Sequence, residues 1–189
     1  MANNLTTLAK TLLSSDAIKG ISKQTNVSVE DVSSILTNAL PELLNGANKQ
    51  ATQKSTAQGF LEALQSHGAN DTSNITSFLK NVDMEDGAKI IGHLLGSNES
   101  EVTKKVAKTT KASKAGDVAK VLAIAAPLVM SLIGKQTSNN KKDDNPLSAI
   151  TSLLGKNDIQ SLAGSLLGGK DGEIDLGDVL NLAGKFLKK

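Results

Sequence analysis

Hydrophobic residues recur at spacings of three and four along most of the chain, and no stretch alternates apolar and polar residues as a half-buried strand would. In residues 28–50, Ser28 and Asp31 occupy capping-box positions ahead of an apolar stripe made of Val29, Val32, Leu36, Leu40, Leu43 and Ala47. Similar helical segments are predicted at residues 5–13, 16–25, 55–68, 74–80, 84–95, 98–111, 147–154, 159–167 and 176–189. The pattern therefore predicts an all-α protein, a compact multihelical bundle.

Two of the predicted helices resemble each other, which predicts an internal duplication around two proline-containing helices. Residues 29–50 and 115–136 lie 86 positions apart, and seven positions are identical at that offset: Asp31/Asp117, Val32/Val118, Leu36/Leu122, Ala39/Ala125, Pro41/Pro127, Lys49/Lys135 and Gln50/Gln136. Each proline removes one backbone donor, so we expect a kink or a break there. The second copy is apolar nearly all round, which predicts a central helix, whereas the polar face of the first predicts a peripheral one.

The polar residues 137–146 predict a linker between a helical core, residues 1–136, and an amphipathic helical tail, residues 147–189. The last predicted helix of this tail carries one apolar stripe, made of Leu176, Val179, Leu180, Ala183, Phe186 and Leu187. Such a stripe docks on the chain's own core, on a partner subunit or on a membrane surface. The first of these is the alternative that we favour.

Composition excludes several classes of function. All 21 basic residues are Lys, so no function that needs an arginine fork or finger is available. The chain has no Cys, which excludes disulfides, thiolate metal ligands and a cysteine nucleophile. The N-terminus lacks the pattern of a secretory signal, and the most apolar run, residues 121–133, is shorter than a bilayer requires. We therefore predict a cytoplasmic protein without a transmembrane segment.

The middle of the chain resembles a known family. The residues that carry the resemblance are Asp86-Gly87, the IIGHLL stretch at 90–95 with Gly96, Ala126-Pro127-Leu128, and residues 27–44 with Leu40-Pro41. Over about residues 18–134 the chain resembles the YidB-like family of bacterial domains of unknown function. The resemblance implies a compact all-α fold. It implies no activity, and it carries over no catalytic residue.

Positive charge is concentrated in one block, residues 101–142, where nine Lys stand against two acidic residues. In the predicted helix of this block, Lys104, Lys108 and Lys111 share a face and Lys105 and Lys114 flank it. No aromatic side chain lies among them, so they cannot support stacking on bases. The face is either simply solvated or a contact surface for an acidic partner or another anionic surface.

Asp86 and His93 are the residues that best suit catalysis or ligand binding. They lie on one face of a predicted helix, but two helical turns separate them by about 10 Å, which is beyond hydrogen-bond reach. We therefore interpret His93 as a packing or capping residue.

Residues 168–178 resemble the second half of a calcium-binding loop, with Asp171, Asp175 and Asp178 at positions 5, 9 and 12. The positions of the first and third ligands hold Leu167 and Gly169, which provide no side-chain oxygen. We interpret the segment as a turn that caps the last helix, with weak calcium binding as a hypothesis.

Residues 18–38 resemble a helix-turn-helix. The second helix would present Glu30 and Asp31 to a polyanion, which disfavours DNA binding.

Taken together, these features predict a non-enzymatic protein without a metal or cofactor, which acts by association with another protein or with itself. The alternatives are a ligand binder or enzyme with a pocket near His93 and Asp86, and nucleic-acid binding through residues 18–38 or the Lys-rich helix at 104–114.

Overall fold

The computed structural model describes residues 2–110, 114–139 and 146–167, and every regular element in these ranges is helical. The helices are α1 (Ala2–Leu12), α2 (Ser15–Thr25), α3 (Val29–Thr52), α4 (Ala57–Gly68), α5 (Ile75–Lys80), α6 (Met84–Leu95), α7 (Glu99–Thr109), α8 (Ala115–Asn139), α9 (Pro146–Leu153) and α10 (Lys156–Leu167). A short 3-10 turn, Gly96–Asn98, joins α6 to α7. The predicted all-α bundle is confirmed.

Local sequence sets the starts of several helices. Ser28 caps α3 by accepting a hydrogen bond from the backbone N–H of Asp31 at 3.0 Å, and its hydroxyl also donates to the Asp31 carboxylate. Asn74 caps α5 and Asp83 caps α6 in the same way. Asn26 adopts the left-handed conformation, with φ of 57°, which turns the chain between α2 and α3.

Helix α8 is the centre of the bundle. In residues 121–133 every side chain is buried except that of Leu132, which is half-buried. Helices α4 and α6 make the most extensive contacts with α8, and α1, α2, α3, α7 and α9 complete its surroundings. The prediction of a central, enclosed second proline helix is confirmed.

The prediction that α3 is peripheral is wrong. Val32, Ile35, Leu36, Leu40 and Leu44 are fully buried, and α3 contacts α2, α4, α6, α7, α8, α9 and α10. Its polar face does not keep it at the surface, because small polar side chains there bond to the helix's own backbone. The buried Thr37 hydroxyl, for example, donates to the carbonyl of Ser33 at 2.8 Å.

Neither proline breaks its helix, since α3 is continuous through Pro41 and α8 through Pro127. The two helices have 24 and 25 residues, and an 11-residue helix precedes each of them. These matched lengths agree with an internal duplication, which stays a prediction.

Backbone-to-backbone contacts at glycine bring the helices close together. A Cβ on Gly87 in α6 would collide with the carbonyl oxygen of Ala123 in α8. This carbonyl lies four residues before Pro127, so it has lost its intrahelical donor. Gly134 of α8 likewise lies against Gly68 of α4, where an added Cβ on either residue would meet the other's backbone. Glycine is therefore required where α4 and α6 cross α8.

The predicted linker is shorter than expected. Helix α8 includes residues 137–139, and the Gln136 amide donates to the carbonyl of Asn4 at 2.9 Å. Pro146 begins α9, a position that suits its fixed φ and its missing donor.

The described part of the tail packs on the core. Ile150 and Leu154 are fully buried, and Ile159 and Leu162 are almost so. Helix α10 lies against α3 and α1, and the Asn48 amide of α3 donates to the carbonyl of Leu154 at 2.6 Å. Residues 146–167 therefore belong to the same packed unit as the helices before them.

Replacing Gly87 by Ala should lower the free energy of unfolding by about 1–3 kcal/mol, because the new methyl group would push α6 away from α8. Gly59→Ala in α4 is the matched control, since no atom lies within 4 Å of its added Cβ. This control should raise stability by about 0.5–1 kcal/mol. Urea denaturation measures both, and equal effects at the two positions would contradict the close crossing.

A chain that stops after Lys142 should be less stable than one that stops after Leu167, because only the shorter chain loses α9 and α10. The difference should exceed the cost of Ile150→Ala alone, which is about 2–5 kcal/mol for a fully buried site. Urea denaturation of the two truncated chains measures it. Equal stabilities would show that α9 and α10 do not contribute to the core.

Candidate functional site

A surface depression between α3, α7 and α10 encloses about 980 Å³. We call it the lysine groove. Its apolar lining comes from Pro41, Val106, Ala163 and Leu167. Its charged lining comes from Glu42, Glu101, Lys104, Lys105 and Lys108. The groove is thus an open channel with apolar surface flanked by lysines.

Helix α7 positions the lysines because its two faces differ. Val102, Thr103 and Val106 are buried, whereas Lys104, Lys105 and Lys108 are exposed. Of the other two predicted lysines, Lys114 is exposed just before α8 and Lys111 lies outside the described residues. The structure therefore brings three of the five together along one groove.

Lys105 is already engaged. Its Nζ donates to Oε1 of Glu42 on α3 at 2.8 Å, with side chains 70% and 30% exposed. This hydrogen bond and the charge of Glu42 raise the pKa of the Lys105 ammonium above its ordinary value. Lys105 therefore holds α7 to α3.

Lys104 and Lys108 have no ion-pair partner among the described residues. Lys104 also borders a smaller depression of about 390 Å³, which the 3-10 turn, α7 and the start of α8 surround. Within the groove, these two ammonium groups are available to another molecule.

The structure does not support a site at Asp86 and His93. Both side chains are exposed on α6, and neither residue lines either of the two depressions. The packing alternative for His93 is wrong, because its side chain is exposed, whereas the capping alternative stays a prediction. Only its carbonyl is engaged, as it accepts a hydrogen bond from the Gln50 amide at 2.6 Å.

The helix-turn-helix-like segment exists as α2, a three-residue turn and α3, but its second helix is enclosed. Val32, Ile35 and Leu36 are buried, and so are Ser34 and Thr37. A recognition helix has to expose a face to enter a DNA groove. This packing, together with the exposed Glu30 near the start of α3, adds to the case against DNA binding.

Over residues 2–110, 114–139 and 146–167, no group of three or more His, Asp or Glu side chains is arranged to hold a metal ion. The predicted calcium-like turn at 168–178 lies outside the described residues. The predicted apolar stripe, made of Leu176, Val179, Leu180, Ala183, Phe186 and Leu187, lies outside them as well.

By length and composition, one described helix is apolar enough to cross a membrane: α8, over residues 115–138. Within its most apolar window, 72% of the residues are buried inside the protein. The structure therefore uses this helix as a core element.

Comparison with known proteins places the chain in a family. Residues 8–136 match the family described as bacterial protein of unknown function (DUF937), to which the YidB-like family belongs. The match covers more than half of the chain, so the chain belongs to this family. No curated protein and no solved structure matches it. The predicted family is confirmed, and its description provides no activity.

The sequence alone missed the acidic and apolar parts of the lysine groove. Glu42 belongs to the polar face of α3, and it lies 63 residues before its partner Lys105. Pro41 was expected only as a helix-geometry residue. No local pattern pairs these residues with α7, so only the packing of α3 against α7 reveals them.

The Glu42–Lys105 pair should contribute about 0.2–1 kcal/mol of coupling energy, as exposed ion pairs do. A double-mutant cycle with Glu42→Ala and Lys105→Ala, read by urea denaturation at neutral pH, measures it. Because folding raises the pKa of Lys105 above 10.5, the coupling should be present at neutral pH and disappear as pH rises through the folded value. A coupling energy that grows above that pH would contradict the assignment.

Proposed function

We propose that the protein is a non-enzymatic helical module that binds a protein segment, either from another protein or from a second copy of itself, in the lysine groove. The observation that supports this proposal is the pair of unpartnered ammonium groups, Lys104 and Lys108, beside the half-buried apolar side chains of Ala163 and Leu167. An amphipathic acidic segment would satisfy both features, because its carboxylates would pair with the lysines and its apolar side chains would cover the lining.

The shape of the groove favours a polypeptide over a small molecule. Ligand pockets usually bury most of a small ligand and place a few convergent polar groups around it. The lysine groove is instead open along three helices, and the polar side chains at its sides come from lysines, carboxylates and amides without a common focus.

The competing functions have less support. An enzyme or ligand binder at Asp86 and His93 would have to work on an open helix surface. A nucleic-acid binder would have only lysines, without aromatic or arginine side chains, along α7.

Reversing the charge of the two unpaired groove lysines should weaken partner binding. We expect Lys104→Glu/Lys108→Glu to reduce retention of bound proteins by about tenfold or more, since a like-charge contact costs more than 1.4 kcal/mol, which is one decade of affinity. The full-length chain is immobilised, proteins retained from a bacterial extract are quantified by mass spectrometry, and self-association is followed by sedimentation.

The matched control is Lys19→Glu/Lys23→Glu, which makes the same charge change on the exposed face of α2. This control should retain the same proteins as the unmodified chain. If both double variants lose binding equally, net charge rather than the groove is responsible and the proposal fails. It also fails if nothing is retained and the chain stays monomeric even when the acidic residues of 171–178 are replaced by Asn and Gln.

A further inference from the structure

The lysine groove lies where the described chain ends. Leu167, the last described residue of α10, lines the groove together with Lys104 and Lys108. Another 22 residues follow it, 168–189. The chain therefore continues from a residue that lines the proposed binding surface.

One stretch of this following segment, residues 171–178, carries a charge opposite to that of the unpartnered lysines. Residues 171–178 contain Asp171, Glu173, Asp175 and Asp178 and no basic residue. Only Gly168, Gly169 and Lys170 separate them from Leu167. A chain covers at most about 3.3–3.6 Å per residue, so Asp171 lies within about 14 Å of Leu167 in any conformation.

The segment also brings apolar residues that match the lining. Leu176, Val179 and Leu180 follow or interleave with the acidic residues, at helical spacing. Residues 171–180 therefore combine the two properties that match the groove, which are acidic charge and an apolar stripe.

We propose that residues 168–189 of the same molecule occupy the lysine groove, with the acidic stretch 171–178 paired to Lys104 and Lys108. This inference rests on the proposed function and names the occupant of the same site. A tethered segment acts at an effective concentration of about millimolar, so weak ion pairs suffice to hold it. The segment is then an intramolecular competitor, which an outside partner has to displace.

The first test maps contacts in the full-length chain by carbodiimide crosslinking, which joins a lysine to a carboxylate only when the two touch. We expect crosslinks from Lys104 or Lys108 to acidic residues in 171–178. An equal mixture of isotope-labelled and unlabelled chains separates the two geometries, and crosslinks that never join a labelled peptide to an unlabelled one support the proposal. Crosslinks that do join labelled to unlabelled peptides would mean an exchanged segment and overturn it, as would the absence of these crosslinks.

The second test measures how fast each lysine is acetylated in the full-length chain. A variant without the four acidic side chains should have Lys104 and Lys108 acetylated about two- to fivefold faster, because exposed ion pairs are worth a fraction of a kcal/mol. The four substitutions are Asp171→Asn, Glu173→Gln, Asp175→Asn and Asp178→Asn. Lys19 and Lys23 are internal controls and should not change. An equal change at all four lysines, or none at Lys104 and Lys108, would overturn the proposal.

Raising the salt concentration to about 1 M should produce the same acceleration in the unmodified chain, because the Debye length falls to about 3 Å. The two proposals fail separately. Partner retention without intramolecular crosslinks overturns this inference alone. Intramolecular crosslinks support this inference whether or not a partner is retained. If the neutralised variant also retains no protein, the proposed function is wrong.

Discussion

The burial of α8 is the constraint on which the rest of the structure depends. Its apolar side chains face every direction, so neighbouring helices have to enclose it on all sides to keep them from water. Glycine shortens the distance between the packed helices, since Gly87 and Gly68 allow the backbones of α6 and α4 to contact the backbone of α8. At Gly87 the contact covers the carbonyl of Ala123, which Pro127 has deprived of its hydrogen bond.

The groove is a consequence of how the outer helices are arranged. Helix α7 uses Val102 and Val106 for the core and directs its lysines outward, while α10 packs across α3. Glu42 neutralises one lysine and leaves two available. The groove and its two unpaired lysines thus follow from the packing of α7 and α10 against α3.

Much of the fold is predictable from local pattern, because capping residues and apolar spacing act within one or two helical turns. Ser28, Asn74 and Asp83 mark helix starts that the structure contains. His93 shows the limit of this reasoning. Its neighbours in sequence are apolar, yet its own side chain is exposed. Whether a residue of α6 is buried depends on which side of the helix packs against α8, and the local sequence does not specify that side.

The sequence by itself determined that the chain is helical, where most helices lie, that α8 is enclosed and that the basic charge lies on α7. These properties follow from spacing and composition, which are local. Only the tertiary structure decided that α3 is a second buried helix, that Glu42 holds Lys105 and that Pro41, Val106 and Leu167 share one groove with Lys104 and Lys108. The physical reason is that these contacts join residues far apart in the chain, and no periodicity encodes which helices meet.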